Sequence, residues 1–152
     1  MKQKIIFVNT MGVLTNDVFY KNNGDALQKN ELSEHLVKLF KNVVKDYNLK
    51  IVFLETWMED QQTLINSLKQ AGFKDIEDYL HSFIKVPYEA SKEKSEAIYK
   101  VIAAENKEYI ILDNNTQLDN YNGEHRAKAI FTNIALGLVS SDLLELRKQI
   151  ES

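Results

Sequence analysis

The sequence predicts an α/β fold, three-layered and doubly wound around a mainly parallel sheet. Three observations carry that prediction. Ile5-Ile6-Phe7-Val8, Ile51-Val52-Phe53-Leu54 and Tyr109-Ile110-Ile111-Leu112 are short, continuous apolar runs without polar alternation, the pattern of strands covered on both faces. The stretches between them are longer and carry apolar residues at helical spacing, so strands and helices alternate and the crossovers should be right-handed. Each run also ends abruptly in polar residues, at Asn9-Thr10, Glu55-Thr56 and Asp113-Asn114. Functional groups in open sheets of this kind collect beyond the carboxyl ends of the strands, so any chemistry should sit there.

Size and composition fit one domain spanning residues 1–152. The chain is 44% hydrophobic and 27% charged, and its formal charge is −3 with lysines and acids interleaved. There is no basic block, so nucleic-acid capture is not indicated. The apolar runs extend to about four residues, against the roughly 20 needed to span a bilayer, and no signal-peptide core follows Lys2 and Lys4. No membrane association is expected. Without cysteine there can be no disulfide, thiolate nucleophile or zinc–sulfur site, and a cytoplasmic location is the resulting default. The pattern specifies no oligomeric state.

In chain order, residues 16–25 are rich in Asn, Asp and Gly, and Asn22-Asn23-Gly24 marks a turn. This interval reads as a polar loop. Asn30 is placed to cap a helix whose Leu32, Leu36, Leu39, Phe40, Val43 and Tyr47 form one apolar stripe, ending at Asn48. A second helix is expected over Glu59–Gln70, with Leu64, Ile65 and Leu68 inward and Gly72 terminating it. A short strand should lie around Ser82–Val86, before Pro87. Ser91–Ala104 reads as another helix and Ala127–Phe131 as the last strand. Ser140 or Ser141 should cap a closing helix with Leu143, Leu146 and Ile150 inward.

The polar strand ends fall in a suggestive order. Asn9-Thr10-Met11-Gly12-Val13-Leu14-Thr15 completes the first strand and Thr56-Trp57 follows the second. Lys94-Ser95-Glu96-Ala97-Ile98 opens a helix, with Lys92 as the alternative lysine, and Leu112-Asp113-Asn114 closes the third strand. Phe131-Thr132-Asn133 and Gly137-Leu138-Val139-Ser140-Ser141-Asp142 complete the set. In order and spacing these segments resemble the motifs of the haloacid dehalogenase (HAD) superfamily. Thr56-Trp57 and the last two segments are similar to the HAD domain of Swiss Army knife RNA-repair proteins. The resemblance implies a HAD-like core with a small flap at about residues 16–25 (an interval too short for a large cap), Mg²⁺ as cofactor and phosphoryl chemistry.

In that superfamily an Asp after the first strand attacks phosphorus, and a second Asp two residues later moves the proton. Mg²⁺ is held by hard oxygens: the first Asp, a backbone carbonyl two residues on, and an Asp of the fourth motif. A Ser/Thr hydroxyl and a Lys ammonium hold the phosphoryl oxygens. By resemblance, the catalytic positions here are Asn9, Met11, Thr56 and Lys94, and the phosphate-binding ones are Thr10, Gly12, Thr56 and Lys94. The metal positions are Asn9, Met11, Asp113 and Asn114, a weak or vestigial Mg²⁺ site. Both acids of the first motif are thus replaced, and the second acid of the fourth motif is an amide. An amide is a poor nucleophile, and Met11 offers a backbone carbonyl but no titratable proton. Losing the nucleophile of a covalent enzyme lowers its rate by about 10⁴–10⁶-fold, or about 5–8 kcal/mol of barrier.

Two functions follow. One is a HAD-fold protein with a degenerate active site, impaired or inactive, that binds a small phosphorylated ligand or a protein partner. The other is an active Mg²⁺-dependent phosphatase on a small phosphorylated metabolite, nucleotide or nucleic-acid end. The second needs another carboxylate in place of Asn9: Asp17 or Glu55 first, then Asp25 or Asp119. A receiver-like signalling domain fits less well, because the acidic cluster expected after its first strand is missing. His35, His81 and His125 have no metal-ligand spacing, and Trp57 reads as core or pocket wall.

Overall fold

The computed structural model describes residues 4–55, 58–85, 98–102 and 108–152, without the side chains of residue 55 and residues 82–85. Five strands, β1 (Ile5–Asn9), β2 (Lys50–Glu55), β3 (Leu80–Lys85), β4 (Tyr109–Asn114) and β5 (Ala129–Thr132), form one sheet in the order β3-β2-β1-β4-β5. Every pairing in it is parallel. The expected doubly wound sheet is present, with β1 at its centre.

Strand alternation sends neighbouring residues to opposite faces, and here both faces are core. Ile6, Val8, Ile51, Phe53, Ile110 and Leu112 join one cluster. Ile5, Phe7, Val52, Leu54 and Ile111 join the other. The first is covered by α2 (Glu34–Tyr47), α3 (Gln61–Gln70) and α6 (Ser140–Glu151), through residues such as Phe40, Leu68 and Leu146. The second is covered by α4 (98–102), through Ile98 and Val101, and by Tyr121. Each fully buried side chain of this size contributes about 1.5–3 kcal/mol, so a polar residue on either face would be costly. That is why the runs show no alternation.

Helix starts differ from expectation. Asn30 does not cap α2: it sits at φ 56°, and its carbonyl accepts from Ser67 Oγ. Glu31 N–H bonds back to the Ala26 carbonyl and Ser33 N–H to the Leu14 carbonyl, so residues 31–33 are tied down before the helix begins. Ser33 is the cap, accepting from Leu36 N–H, and Asn48 closes the helix in the left-handed conformation. Asp60 caps α3, accepting from Thr63 N–H at 2.8 Å. Neither Ser140 nor Ser141 caps α6; the cap residue is Val139, whose N–H is taken by the Asp142 carboxylate at 3.1 Å. β3 begins two residues ahead of the expected strand, after a 3-10 turn over Ile76–Tyr79. Of the helix expected over Ser91–Ala104, residues 98–102 are described and helical. The flap contains α1 (Asp17–Asn22), capped by Asn16, and β4 leads into a 3-10 helix (Asn115–Asn120) and then α5 (Gly123–Ala127).

Candidate functional site

β1 runs in register with β2 up to Val8↔Phe53, and then Asn9 pairs with Glu55, skipping Leu54. The chain leaves the sheet at this irregularity. Asn9 is 1% exposed and Asp113, at the end of neighbouring β4, is 0% exposed. A carboxylate this deep costs several kcal/mol unless donors surround it. Asp113 Oδ1 accepts from Asn9 Nδ2 at 2.8 Å and from Asn114 N–H at 2.7 Å, while Oδ2 accepts from the Tyr121 hydroxyl at 2.5 Å. Asn9 Oδ1 in turn accepts from Met11 N–H at 3.1 Å. Asn114 Nδ2 donates to the Met11 carbonyl at 2.8 Å, and its Oδ1 accepts from Thr116 N–H at 3.0 Å and Thr116 Oγ1 at 2.5 Å. A carboxylate only accepts and a backbone N–H only donates, so this network permits one orientation of each amide.

The loop after β1 is equally committed. Gly12 N–H donates to Thr15 Oγ1 at 3.1 Å, and the N–H groups of Val13 and Leu14 donate to the Thr10 carbonyl at 3.4 and 3.0 Å. With Met11, four successive loop N–H groups are therefore bonded internally. Thr132 Oγ1 donates to the Gly12 carbonyl at 2.6 Å, tying the loop to β5. Gly12 is required twice over. It sits at φ 74°, and a Cβ there would lie 2.7 Å from Ile134 Cγ1 and 2.9 Å from Asn114 Cβ. The Tyr20 hydroxyl donates to Met11 Sδ at 3.4 Å, joining the flap to the loop. Burial pushes the Tyr20 phenol up, against a smaller opposing pull from Thr15.

The structure thus brings together Asn9, Met11, Asp113 and Asn114, with Thr10 and Gly12 in the same loop. Thr56, Trp57, Lys92 and Lys94 lie outside the described residues. Of the alternative carboxylates, Asp25 and Asp119 are exposed and paired with Lys29 and Arg126. Asp17 is exposed in the first turn of α1, and the Glu55 side chain is outside the description. Among the described residues no group of three or more His, Cys, Asp or Glu side chains could hold a metal ion. Sequence reasoning did not assign Tyr121, Thr132 or Tyr20 to this site. The available signal for Tyr121 was indirect: a carboxylate buried at the end of β4 must find donors, and Tyr121 lies in the segment that follows.

The family model for the HAD domain in Swiss Army Knife RNA repair proteins matches residues 5–143. The chain belongs to this HAD family. No curated protein and no solved structure matched it. The matched span takes in all five strands and the whole Asn9–Asp113 network. It is a HAD-fold, phosphohydrolase-like protein, and no helix among its described residues is long and apolar enough to cross a membrane.

HAD proteins typically use Mg²⁺, which needs oxygen lone pairs. The oxygens at issue here, the Asp113 carboxylate and the Met11 carbonyl, already accept from Asn9, Asn114 and Tyr121. Asn9 and Asn114 direct NH₂ groups at them, where a cation would need ligands. The described donor set does not fit Mg²⁺.

Proposed function

We propose that this HAD domain lacks phosphohydrolase activity and acts by binding a ligand or a protein partner. The carrying observation is the hydrogen bond from Asn9 Nδ2 to Asp113 Oδ1. Attack on phosphorus needs an anionic oxygen with a free lone pair, and Asn9 supplies a neutral amide whose oxygen is occupied by Met11 N–H. Met11, two residues on, cannot shuttle a proton. The loop N–H groups that would cradle a phosphoryl group are bonded internally, which favours a partner other than a phosphate. The loops at this end of the sheet also carry exposed apolar side chains, Val18 and Leu136. Their segments are joined by Asp17 N–H to the Ala135 carbonyl and Asn16 Nδ2 to the Leu136 carbonyl.

The test is a phosphatase assay in Mg²⁺ with p-nitrophenyl phosphate and with end-phosphorylated oligonucleotides. The native protein should give no turnover above the blank, and Asn9→Asp/Met11→Asp/Asn114→Asp should gain it. Turnover by the native chain at ordinary enzyme rates, abolished by Asp113→Ala, would overturn the proposal.

A further inference from the structure

We infer that the Asn9 amide takes over the electrostatic role of a bound cation, so that a hydrogen-bonded clasp holds the carboxyl ends of β1 and β4 together without metal. This rests on the reading of the site as non-hydrolytic, and adds that the native protein neither requires nor takes up Mg²⁺ there. A buried carboxylate must be offset by opposite charge or by several aimed donors. Among the described residues Asp113 has the second solution: the Asn9 amide and the Asn114 N–H on one oxygen, the Tyr121 hydroxyl on the other. Asn114 completes the clasp by covering the Met11 carbonyl. A cation entering this space would have to break bonds from Asn9, Asn114 and Tyr121 and would gain, among the described residues, one carboxylate and the Met11 carbonyl in return. The exchange is unfavourable, and more so for Mg²⁺, which gives up its own waters reluctantly.

The clasp also dictates what one added carboxylate would do. Asn9→Asp would set two buried carboxylates across the contact that now measures 2.8 Å. Two such groups cannot both ionise; they hold one proton between them or bind a cation. Stability that is now independent of metal would become dependent on pH and on divalent ion.

Thermal unfolding in EDTA and in millimolar Mg²⁺, at mildly acidic and mildly alkaline pH, tests this. The native Tm should be the same with and without Mg²⁺. Asn9→Asp should lower Tm by on the order of 10 °C in EDTA at alkaline pH, and recover on acidification or with Mg²⁺. The exchange Asn9→Asp/Asp113→Asn removes the second carboxylate but turns an amide NH₂ towards the Asn114 N–H, so it should regain part of the Tm that Asn9→Asp loses in EDTA. Tyr121→Phe leaves every charge in place; it should lose about 5 °C and gain nothing from Mg²⁺. That variant keeps the test decisive if Asn9→Asp does not fold.

A native Tm raised by Mg²⁺ would overturn the inference, as would rescue of Tyr121→Phe by Mg²⁺. So would an Asn9→Asp protein as stable as the native one in every condition, or an exchange variant no more stable than Asn9→Asp alone. The two proposals fail separately. Native turnover with a Mg²⁺-independent Tm would remove the non-hydrolytic reading alone, and a Mg²⁺-dependent Tm without turnover would remove the clasp alone.

Discussion

β4 buries an ionisable side chain at each end, and the two ends treat it differently. Asp113, at the carboxyl end, is met by Asn9, Asn114 and Tyr121. Tyr109, at the amino end, is 7% exposed, and its hydroxyl has no hydrogen-bond partner among the described residues. Around it are rings: Phe7 edge-on at 5.9 Å, His125 at 5.9 Å, and the Lys128 ammonium 4.9 Å from the Tyr109 ring centre. Tyr99 also lies against His125, at 4.6 Å. The difference follows from what each group can do when it loses water. A hydroxyl stays neutral and forfeits about 1–3 kcal/mol, which aromatic packing can offset, whereas a carboxylate without donors costs several kcal/mol. Burial pushes the Tyr109 phenol up to about 12, which keeps it uncharged. The charged end therefore has to be specified bond by bond, and the neutral end can be specified by shape.

Substitutions at the two ends should break this contrast to different degrees. Asn9→Ala removes a donor from a fully buried carboxylate and should cost about 3 kcal/mol in urea unfolding, the largest loss in the series. A loss under about 1 kcal/mol would mean that Asp113 does not depend on the amide. Gly12→Ala forces a side chain into a left-handed backbone position against Ile134 and Asn114, and should cost about 2 kcal/mol by the same measurement.

At the amino end the effect is one of pH. Desolvation lowers the His125 pKa, with the Glu124 charge opposing it, so the folded state disfavours the imidazolium. The stability this contributes is fully present above the ordinary value of 6.5 and is lost as pH falls through the lower folded-state value. The urea midpoint should decline on acidification over that range, and His125→Gln should flatten the decline. Tyr109 works at the other extreme of pH. Its raised value predicts stability that is constant below 10 and falls as pH rises towards about 12, a loss absent from Tyr109→Phe. At neutral pH Tyr109→Phe should be the smallest change and of opposite sign, neutral to about 1 kcal/mol more stable.

The strands were legible because burial on both faces leaves an uninterrupted apolar run, as at Ile5–Val8 and Ile110–Leu112. The helix bodies were legible from their stripes, but their starts were not. Asn30 and Ser33 are both good caps on their own, and Ser33 wins because the Leu14 carbonyl, distant in sequence, holds its N–H in place. The same division runs through the site. Asn9, Asp113 and Asn114 stand at strand ends, where a sequence can be read one strand at a time. Tyr121 reaches Asp113 from beyond a 3-10 helix that carries no periodic signal, so only the carboxylate's need for donors gives it meaning. His125 shows no ligand spacing in the sequence, yet it is fully buried and in ring contact with Tyr99 and Tyr109, a neighbourhood assembled from three separate elements.

β5 has one further consequence. It ends the sheet on one side with a strand of four residues, and the chain then folds back through a tight turn in which Gly137 N–H returns to the Asn133 carbonyl at 2.9 Å. A border so brief, ending in a tight turn, offers a neighbouring chain few rungs on which to add a strand, and this side of the sheet makes a poor template for fibril growth.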